Sequence, residues 1–179
     1  MSTMNGEFRT TVFYAHVHEP SKYGHFEVNV AVTPEMEKEL TSLRLDGKIK
    51  SGKDVVNNGG KYLALRTTQV DRSNNTSSMV VVDADGRPMQ DLIGNGSECI
   101  VYWRAYDDKQ YGRVIKFGKM LDWDQEGKTK KFAAMKVVKL VEYKNDKNDF
   151  FTPVAGAESD NTMAKKTPAP KEVSFELED

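Results

Sequence analysis

Between Glu98 and Tyr106 the sequence alternates strictly between two kinds of side chain. One set of alternate positions is apolar and the other is rich in tyrosine: Cys99, Val101, Trp103 and Ala105 against Ile100, Tyr102, Arg104 and Tyr106. A period of two is typical of a β-strand that buries one face. The alternation therefore predicts a strand with Trp103 packed in a core and with Tyr102 and Tyr106 accessible on the opposite face.

Most of the chain up to residue 143 reads in the same way. Apolar alternation or β-branched content predicts strands over Glu7–Val17, Phe26–Val32, Lys61–Val70, Met79–Val82, Arg113–Trp123 and Lys130–Tyr143. The last two strands form a long hairpin that turns at Gln125–Gly127, and Asp85-Gly86 is a second turn signal. Five or more antiparallel strands indicate a small barrel or sandwich.

One helix is predicted among these strands. Thr33 is a good N-cap, Pro34 suits the first helical position, and the apolar residues Met36, Leu40 and Leu43 form one stripe that ends before Gly47. A loop rich in glycine and lysine, Lys48 to Gly60, follows the helix.

Charge divides the chain into two parts. Residues 1–144 carry 22 Lys+Arg and 19 Asp+Glu, a net of +3, whereas residues 145–179 carry 4 and 8, a net of −4; the two sum to the −1 of the whole chain. We therefore predict a folded domain over 1–144 and a flexible linker with an acidic tail over 145–179, because the stretch Thr152–Pro170 is too poor in apolar residues to form a core. A basic body with an acidic, aromatic-containing tail is typical of a protein that binds a polyanion, and the tail can occupy the basic surface or reach a partner.

Cysteine content and hydropathy indicate the cellular compartment. Cys99 is the one cysteine among 179 residues, so neither an internal disulfide nor a cysteine zinc site is expected. No N-terminal apolar run resembles a signal peptide, and no run of about 18 apolar residues is present that would span a membrane. We expect a cytosolic protein with no membrane partner.

The tyrosines and basic residues on strand faces are the main chemical signal. Tyr102 and Tyr106 would project about 13 Å apart along one strand, with Arg104 between them. Bases can stack on such rings while the guanidinium meets a phosphate or stacks itself. Tyr62 and Arg66 repeat this arrangement on another strand. The alternative is that these tyrosines pack across strands and bind no ligand.

Other constellations do not favour catalysis. Gly47–Asp54 nearly matches a phosphate-binding loop, but Asp54 replaces the hydroxyl that coordinates magnesium and a helix precedes the loop instead of a strand. Its lysines can still attract phosphate. His16 and His18 share one face without a third metal ligand. We predict no enzyme activity, no catalytic residue, no cofactor and no metal site.

The order of several short segments resembles a known family. They are Phe13–Ala15 with Pro20 and Tyr23-Gly24, Phe26–Pro34, Met79–Gly86, Met89–Asp91, Ile93–Ser97, a strand ending at Tyr106, and Val138–Tyr143. Together they resemble the single-stranded-DNA-binding protein of the short-tailed T-odd phages and their relatives. The run Val80–Ser97 is the most specific of them, and the tail resembles that family's tail in character.

The resemblance implies a five-stranded oligonucleotide/oligosaccharide-binding (OB) barrel with a helix after an early strand and an acidic C-terminal tail. It implies a homodimer that coats single-stranded DNA in phage replication and recombination, in the cytoplasm of the bacterial host. The tail would contact the replicative DNA polymerase and the primase–helicase. Two features depart from the family. Glu176–Asp179 follow Phe175, which is not terminal here, and the segment Asp107–Lys130 is longer, which predicts an extended hairpin.

We therefore predict a protein that binds single-stranded DNA without sequence preference. The predicted DNA-binding residues are Lys61, Tyr62, Arg66, Arg72, Tyr102, Arg104, Tyr106, Tyr111 and Arg113, and the predicted partner-binding tail residues are Phe175, Glu176, Leu177, Glu178 and Asp179. Two alternatives stay open at this point: an RNA-binding OB protein, because stacking does not detect the 2′-hydroxyl, and a non-catalytic dimeric adaptor that presents the tail.

Overall fold

The alternating segments form a single curled β-sheet in a computed structural model of the chain, which describes residues 3–52, 60–124, 126 and 128–142. Its strands are β1 (Met4–His16), β2 (His25–Ala31), β3 (Lys50–Ser51), β4 (Lys61–Thr68), β5 (Thr76–Val82), β6 (Ser97–Asp108), β7 (Gly112–Phe117), β8 (Lys119–Asp124) and β9 (Thr129–Lys139). The helix α1 spans Pro34–Ser42, and a short 3₁₀ turn spans Asp46–Lys48.

The strands follow the order β3-β4-β2-β1-β6-β9-β5, with β7 paired to β6 and β8 paired to β9. Every pairing is antiparallel except the one between β5 and β9. The long strand β1 joins two parts of the sheet, because Met4–Val12 pairs with β6 whereas Val12–His16 pairs with β2. The sheet curls into a half-barrel, and β4 thereby comes to lie beside β7.

The core lies inside this curl. As predicted, β6 buries Val101, Trp103 and Ala105, while Tyr102 and Tyr106 are only half-buried. Trp103 is 1% exposed and its ring stacks on Phe8 with 5.4 Å between ring centroids. Gly6 lies against the same ring so closely that a Cβ at this position would overlap the indole. The absence of a side chain at Gly6 is therefore what lets β1 approach Trp103.

The predicted helix is present and begins as expected. The Thr33 hydroxyl accepts a hydrogen bond from the Met36 backbone N–H at 3.2 Å, with Pro34 as the first helical residue. Met36 and Leu40 are buried against the sheet. The helix ends at Ser42, earlier than the expected end before Gly47, because Arg44 adopts a left-handed φ of +61° that does not continue a helix.

The mainly β prediction, with one helix after an early strand, is confirmed, but the strand count and the last hairpin differ. The described residues contain nine strands instead of a five-stranded barrel. The strand predicted over Arg113–Trp123 is divided at Gly118, so that β7 pairs with β6 and β8 pairs with β9. Gly118 has a φ of +95°, and a Cβ there would lie 2.9 Å from the Cβ of Phe132. This backbone conformation strongly favours glycine and breaks the strand.

Several predictions lie outside the described residues. The chain divides into two units, Met1–Tyr143 and Lys144–Asp179, and all described residues belong to the first. The linker, the acidic tail and the domain boundary stay predictions, as does the structure of residues 53–59 in the near phosphate-binding loop. No helix in the described part of the chain is long and apolar enough to cross a membrane.

Candidate nucleic-acid interface

A basic groove lies where β4 comes beside β7. Its volume is about 310 Å³. Ala64 and Arg66 of β4 line one wall, Val114, Ile115 and Lys116 of β7 line the other, and the segment containing Gly47, Lys48 and Lys50 lines the remainder. Arg66 and Lys116 lie near one end of the groove, where the Thr67 side chain contacts the backbone of Phe117. Two strands that are distant in sequence therefore form most of the groove.

Four cations line this groove, and none of them forms an ion pair with a described residue. They are Lys48, Lys50, Arg66 and Lys116. Burial lowers the pKa of Lys116, the charges of Arg104 and Arg66 lower it further, and Asp108 opposes them. Positive charge thus accumulates here without full compensation, which is the arrangement expected of a surface that attracts a polyanion.

Two half-buried tyrosines adjoin the walls. Tyr62 lies opposite Lys50 in the β3–β4 ladder and on the same face of β4 as Ala64 and Arg66. Tyr106 lies opposite Val114 in the β6–β7 ladder. Cross-strand partners share a face of the sheet, so each tyrosine lies on the same face as a residue that lines the groove. Of the residues predicted from sequence, Arg66 lines the groove, and Tyr62 and Tyr106 lie opposite residues that line it.

Arg104 takes a different position from the one predicted. Its guanidinium donates from Nη1 to the carbonyl oxygens of Phe117 (2.6 Å) and Gly118 (3.0 Å), and from Nη2 to the Thr67 hydroxyl (3.2 Å). Its Cζ also lies 4.3 Å from the centre of the Phe132 ring. Burial lowers the pKa of Arg104 to about 10, which leaves it charged at neutral pH. The side chain is therefore engaged by protein groups, and it is not among the residues that line the groove.

Three other predicted residues have protein partners. Lys61 Nζ lies 3.1 Å from Glu37 Oε1 of the helix. The Arg113 guanidinium donates from Nε to the Leu43 carbonyl at 3.1 Å and from Nη1 to Asp107 at 3.3 Å, which connects the end of the helix to β7. Tyr102 lies opposite Glu7 in the β1–β6 ladder. Burial raises the pKa of Tyr102, and the charge of Glu7 raises it further.

Arg72 and Tyr111 are exposed on connecting loops. Arg72 belongs to the loop between β4 and β5, in which Asp71 accepts hydrogen bonds from the backbone N–H groups of Ser73 and Asn75, both at 2.9 Å. Tyr111 is 65% exposed in the turn between β6 and β7. Neither residue lines the groove itself.

Three of the four groove cations were absent from the predicted site: Lys48, Lys50 and Lys116. Lys48 and Lys50 belong to the lysine-rich loop whose attraction for phosphate was noted from sequence. The sequence could have indicated Lys116, because it lies two residues from Val114 and residues two apart on a strand share a face. Its cross-strand partner is Arg104 of β6, and only the β6–β7 register shows this pairing.

Three further features lie outside the groove: a cavity beside the end of β1, His18 and the buried Cys99. A cavity of about 240 Å³ is lined by the end of β1 including His16, by the loop after it including His18, and by Leu92 and Ile93. His18 Nε2 lies 2.8 Å from the Asp91 carbonyl oxygen. Burial raises the pKa of the Cys99 thiol to about 12. Within the described ranges, no group of three or more His, Cys, Asp or Glu side chains is placed to hold a metal ion.

Comparison with solved structures finds the same fold in a phage protein. Crystalline gp2.5, a single-stranded DNA binding protein encoded by bacteriophage T7, superposes with a TM-score of 0.52 at 16% sequence identity, over 88% of this chain and 98% of that one. The resemblance inferred from sequence is thus confirmed at the level of the fold.

A second solved structure resembles this chain less in both fold and sequence. The single-stranded DNA-binding protein of bacteriophage Enc34, in complex with single-stranded DNA, gives a TM-score of 0.49 at 11% identity, over 80% of this chain and 89% of that one. No family model matches this sequence. No curated protein sequence matches it either.

Proposed function

We propose that this protein binds single-stranded DNA without sequence preference and catalyses no reaction. The observation that carries the proposal is the groove between β4 and β7. Four cations without ion-pair partners among the described residues line it, and Tyr62 and Tyr106 lie opposite the lining residues Lys50 and Val114 in their ladders. Proteins that hold single strands combine such a charged groove with rings on which bases stack. The fold shared with gp2.5 of bacteriophage T7, itself a single-stranded DNA binding protein, supports this proposal.

Base stacking favours a single strand over a duplex at this groove. A duplex would present its outer phosphates to the rim and would keep its bases stacked on one another, away from Tyr62 and Tyr106. We therefore expect single strands to gain stacking energy that duplexes do not.

The test is a titration with one sequence in three forms: single-stranded DNA, duplex DNA and single-stranded RNA, each at several salt concentrations. Each neutralised phosphate contributes about −0.7 to the slope of log affinity against log salt for a single strand, so four groove cations predict a slope of about −3. A slope near zero or tighter binding to duplex would contradict the proposal. Tighter binding to RNA would instead favour the RNA-binding alternative. Recovery of intact DNA with and without divalent metal tests the absence of nuclease activity.

The proposal extends to a biological role that rests on the family resemblance. We propose that the protein coats single-stranded DNA during phage DNA replication and recombination in the cytoplasm of the bacterial host, and that it acts as a homodimer. Sedimentation equilibrium of the full chain tests the dimer, since a monomer at all concentrations would contradict it.

We also propose that the acidic tail recruits the replicative DNA polymerase and the primase–helicase through Phe175 and the carboxylates around it. The sequence supports this, since aromatic residues commonly anchor interfaces and Phe175 lies among Glu172, Glu176 and Glu178. The test is a pull-down of both enzymes with the wild type, with Phe175→Ala and with Ser174→Ala as a matched control. We expect loss of capture only in Phe175→Ala, and equal capture by all three proteins would contradict the tail's role.

A further inference from the structure

The two walls of the groove are held together by side chains instead of by a backbone ladder. Strand β4 pairs with β2 and β3, and β7 pairs with β6, but no ladder joins β4 to β7 in the described part of the chain. At one end of this seam the Thr67 hydroxyl donates to the Phe117 carbonyl oxygen at 2.6 Å. This bond joins the β4 wall directly to the β7 wall.

Arg104 reinforces the same junction from a third strand. Its guanidinium binds the Phe117 and Gly118 carbonyls at the end of β7 and the Thr67 hydroxyl of β4, and it rests on the Phe132 ring of β9. The planar fork of an arginine suits such bridging, because its N–H groups are held in fixed directions. Thr67 and Arg104 together form what we call the seam clamp.

The clamp keeps a positive charge largely buried. No carboxylate forms an ion pair with Arg104 among the described residues. A buried charge is costly unless its hydrogen bonds are satisfied. Here the satisfied bonds all lead to the two walls, so the position of the guanidinium fixes the position of Phe117 relative to Thr67.

The cations Arg66 and Lys116 lie next to the clamp. Arg66 precedes Thr67 on β4, and Lys116 lies opposite Arg104 in the β6–β7 ladder. We propose that the seam clamp sets the width of the groove, so that Arg66 and Lys116 reach phosphates of the same single strand. Thr67 and Arg104 are then positioning residues that do not contact DNA. This inference rests on the proposed single-strand binding and differs from the sequence prediction that Arg104 meets a phosphate.

The test measures the affinity for single-stranded DNA and its salt dependence in variants of Thr67 and Arg104. Thr67→Val removes the wall-to-wall hydrogen bond without changing charge, and Arg104→Met removes the fork while preserving much of the stem. Loss of one hydrogen bond corresponds to roughly two- to tenfold, and each variant removes more than one. We therefore expect each variant to bind single-stranded DNA at least about twofold more weakly, with an unchanged salt slope. Because both residues belong to one clamp, the double variant should lose less than the product of the two losses.

Two controls separate positioning from general instability and from charge. Thr10 is also a buried threonine whose hydroxyl donates to a backbone carbonyl, that of Ala31 at 2.7 Å, away from the groove. Thr10→Val should lower the melting temperature as Thr67→Val does, but leave DNA affinity unchanged. Arg104→Lys retains the charge and loses the fork, so it should weaken binding like Arg104→Met.

Three results would overturn the inference. The first is a salt slope that falls by about 0.7 in Arg104→Met, which would identify Arg104 as a phosphate contact. The second is wild-type affinity in Thr67→Val, which stays informative if Arg104→Met does not fold. The third is an equal loss of affinity in Thr10→Val. Failure of the wild type to bind single strands would overturn the proposed function itself. This outcome is seen with the wild type alone, whereas the three results above are measured on variants.

Discussion

Arg66 of β4 and Lys116 of β7 bring positive charge to the same groove from its two walls. Burial lowers the pKa of Lys116, and the charges of Arg104 and Arg66 lower it further. The unliganded groove therefore holds like charges near one another, an arrangement that a phosphate placed between the walls would relieve.

Removal of either charge should weaken DNA binding and reduce its salt dependence. Arg66→Ala and Lys116→Ala should each reduce the magnitude of the salt slope by about 0.7, because each removes one phosphate contact. Arg9→Ala is the matched control, since Arg9 pairs with Glu98 at 2.7 Å and does not line the groove. Fluorescence titrations over a range of salt concentrations give the slopes, and a slope unchanged in both groove variants would exclude these contacts.

Binding should also depend on pH in the alkaline range. Because its pKa is lowered, Lys116 loses its proton at lower pH than an ordinary lysine, whereas a bound phosphate stabilises the charged form. Binding is therefore linked to proton uptake, and affinity should fall as the pH rises toward the lysine range. Lys116→Arg should remove part of this dependence, since arginine stays protonated. The measurement is affinity against pH at constant ionic strength; identical profiles for the two proteins would contradict the linkage.

Tyr62 and Tyr106 should contribute stacking energy. Replacement of either tyrosine by alanine should weaken binding by about 1–3 kcal/mol, the range for one stacked base, without a large change in stability. Tyr62→Phe and Tyr106→Phe are the matched controls and should retain most of the affinity, because they preserve the ring. If the phenylalanine variants lost as much as the alanine variants, the hydroxyl groups and not the rings would make the contact.

Trp103 should be important for stability and not for binding. Its side chain is 1% exposed and packs against Phe8 and Gly6, so Trp103→Ala should reduce the free energy of unfolding by about 3–5 kcal/mol. Gly6→Ala should destabilise the same site, typically by about 1–3 kcal/mol, because a Cβ would overlap the indole. Urea denaturation measures both effects. Stability equal to that of the wild type in Trp103→Ala would show that β6 has the opposite face buried.

Asp71 should stabilise the fold except in acid. The hydrogen bond from Lys130 Nζ, 2.7 Å from Asp71 Oδ2, is the largest of the interactions that lower the pKa of Asp71 from 3.8 to about 2. A carboxyl whose pKa is lowered on folding contributes stability above its unfolded pKa and loses it as the pH falls through the folded pKa. The wild type should therefore melt at higher temperature than Asp71→Asn at pH 7, and the difference should shrink between about pH 4 and pH 2. A constant difference over this range would contradict the assignment.

Local pattern was enough to predict most of the elements, but not β3 or the break at Gly118 that separates β7 from β8. The period of two in β6 identified its buried face, because side chains of a strand point alternately to opposite sides. The cap at Thr33 and the proline after it identified the start of the helix, because these residues satisfy or avoid the free N–H groups there. The resemblance to the phage family came from short segments in a fixed order, and the fold comparison supports it.

Sequence pattern thus predicted most of the strands, the start of the helix and the buried face of β6. The tertiary structure alone decided which cations meet. Lys48, Lys50, Arg66 and Lys116 come from segments distant in sequence, and they converge because the sheet curls until β4 lies beside β7. It also decided the hydrogen-bond partners of Arg104. Alternation placed this side chain on the half-buried face, but only the register and the curl show that Thr67 and Phe117 lie within its reach. Pairing between distant strands depends on the packing of the whole sheet, and no local period encodes it.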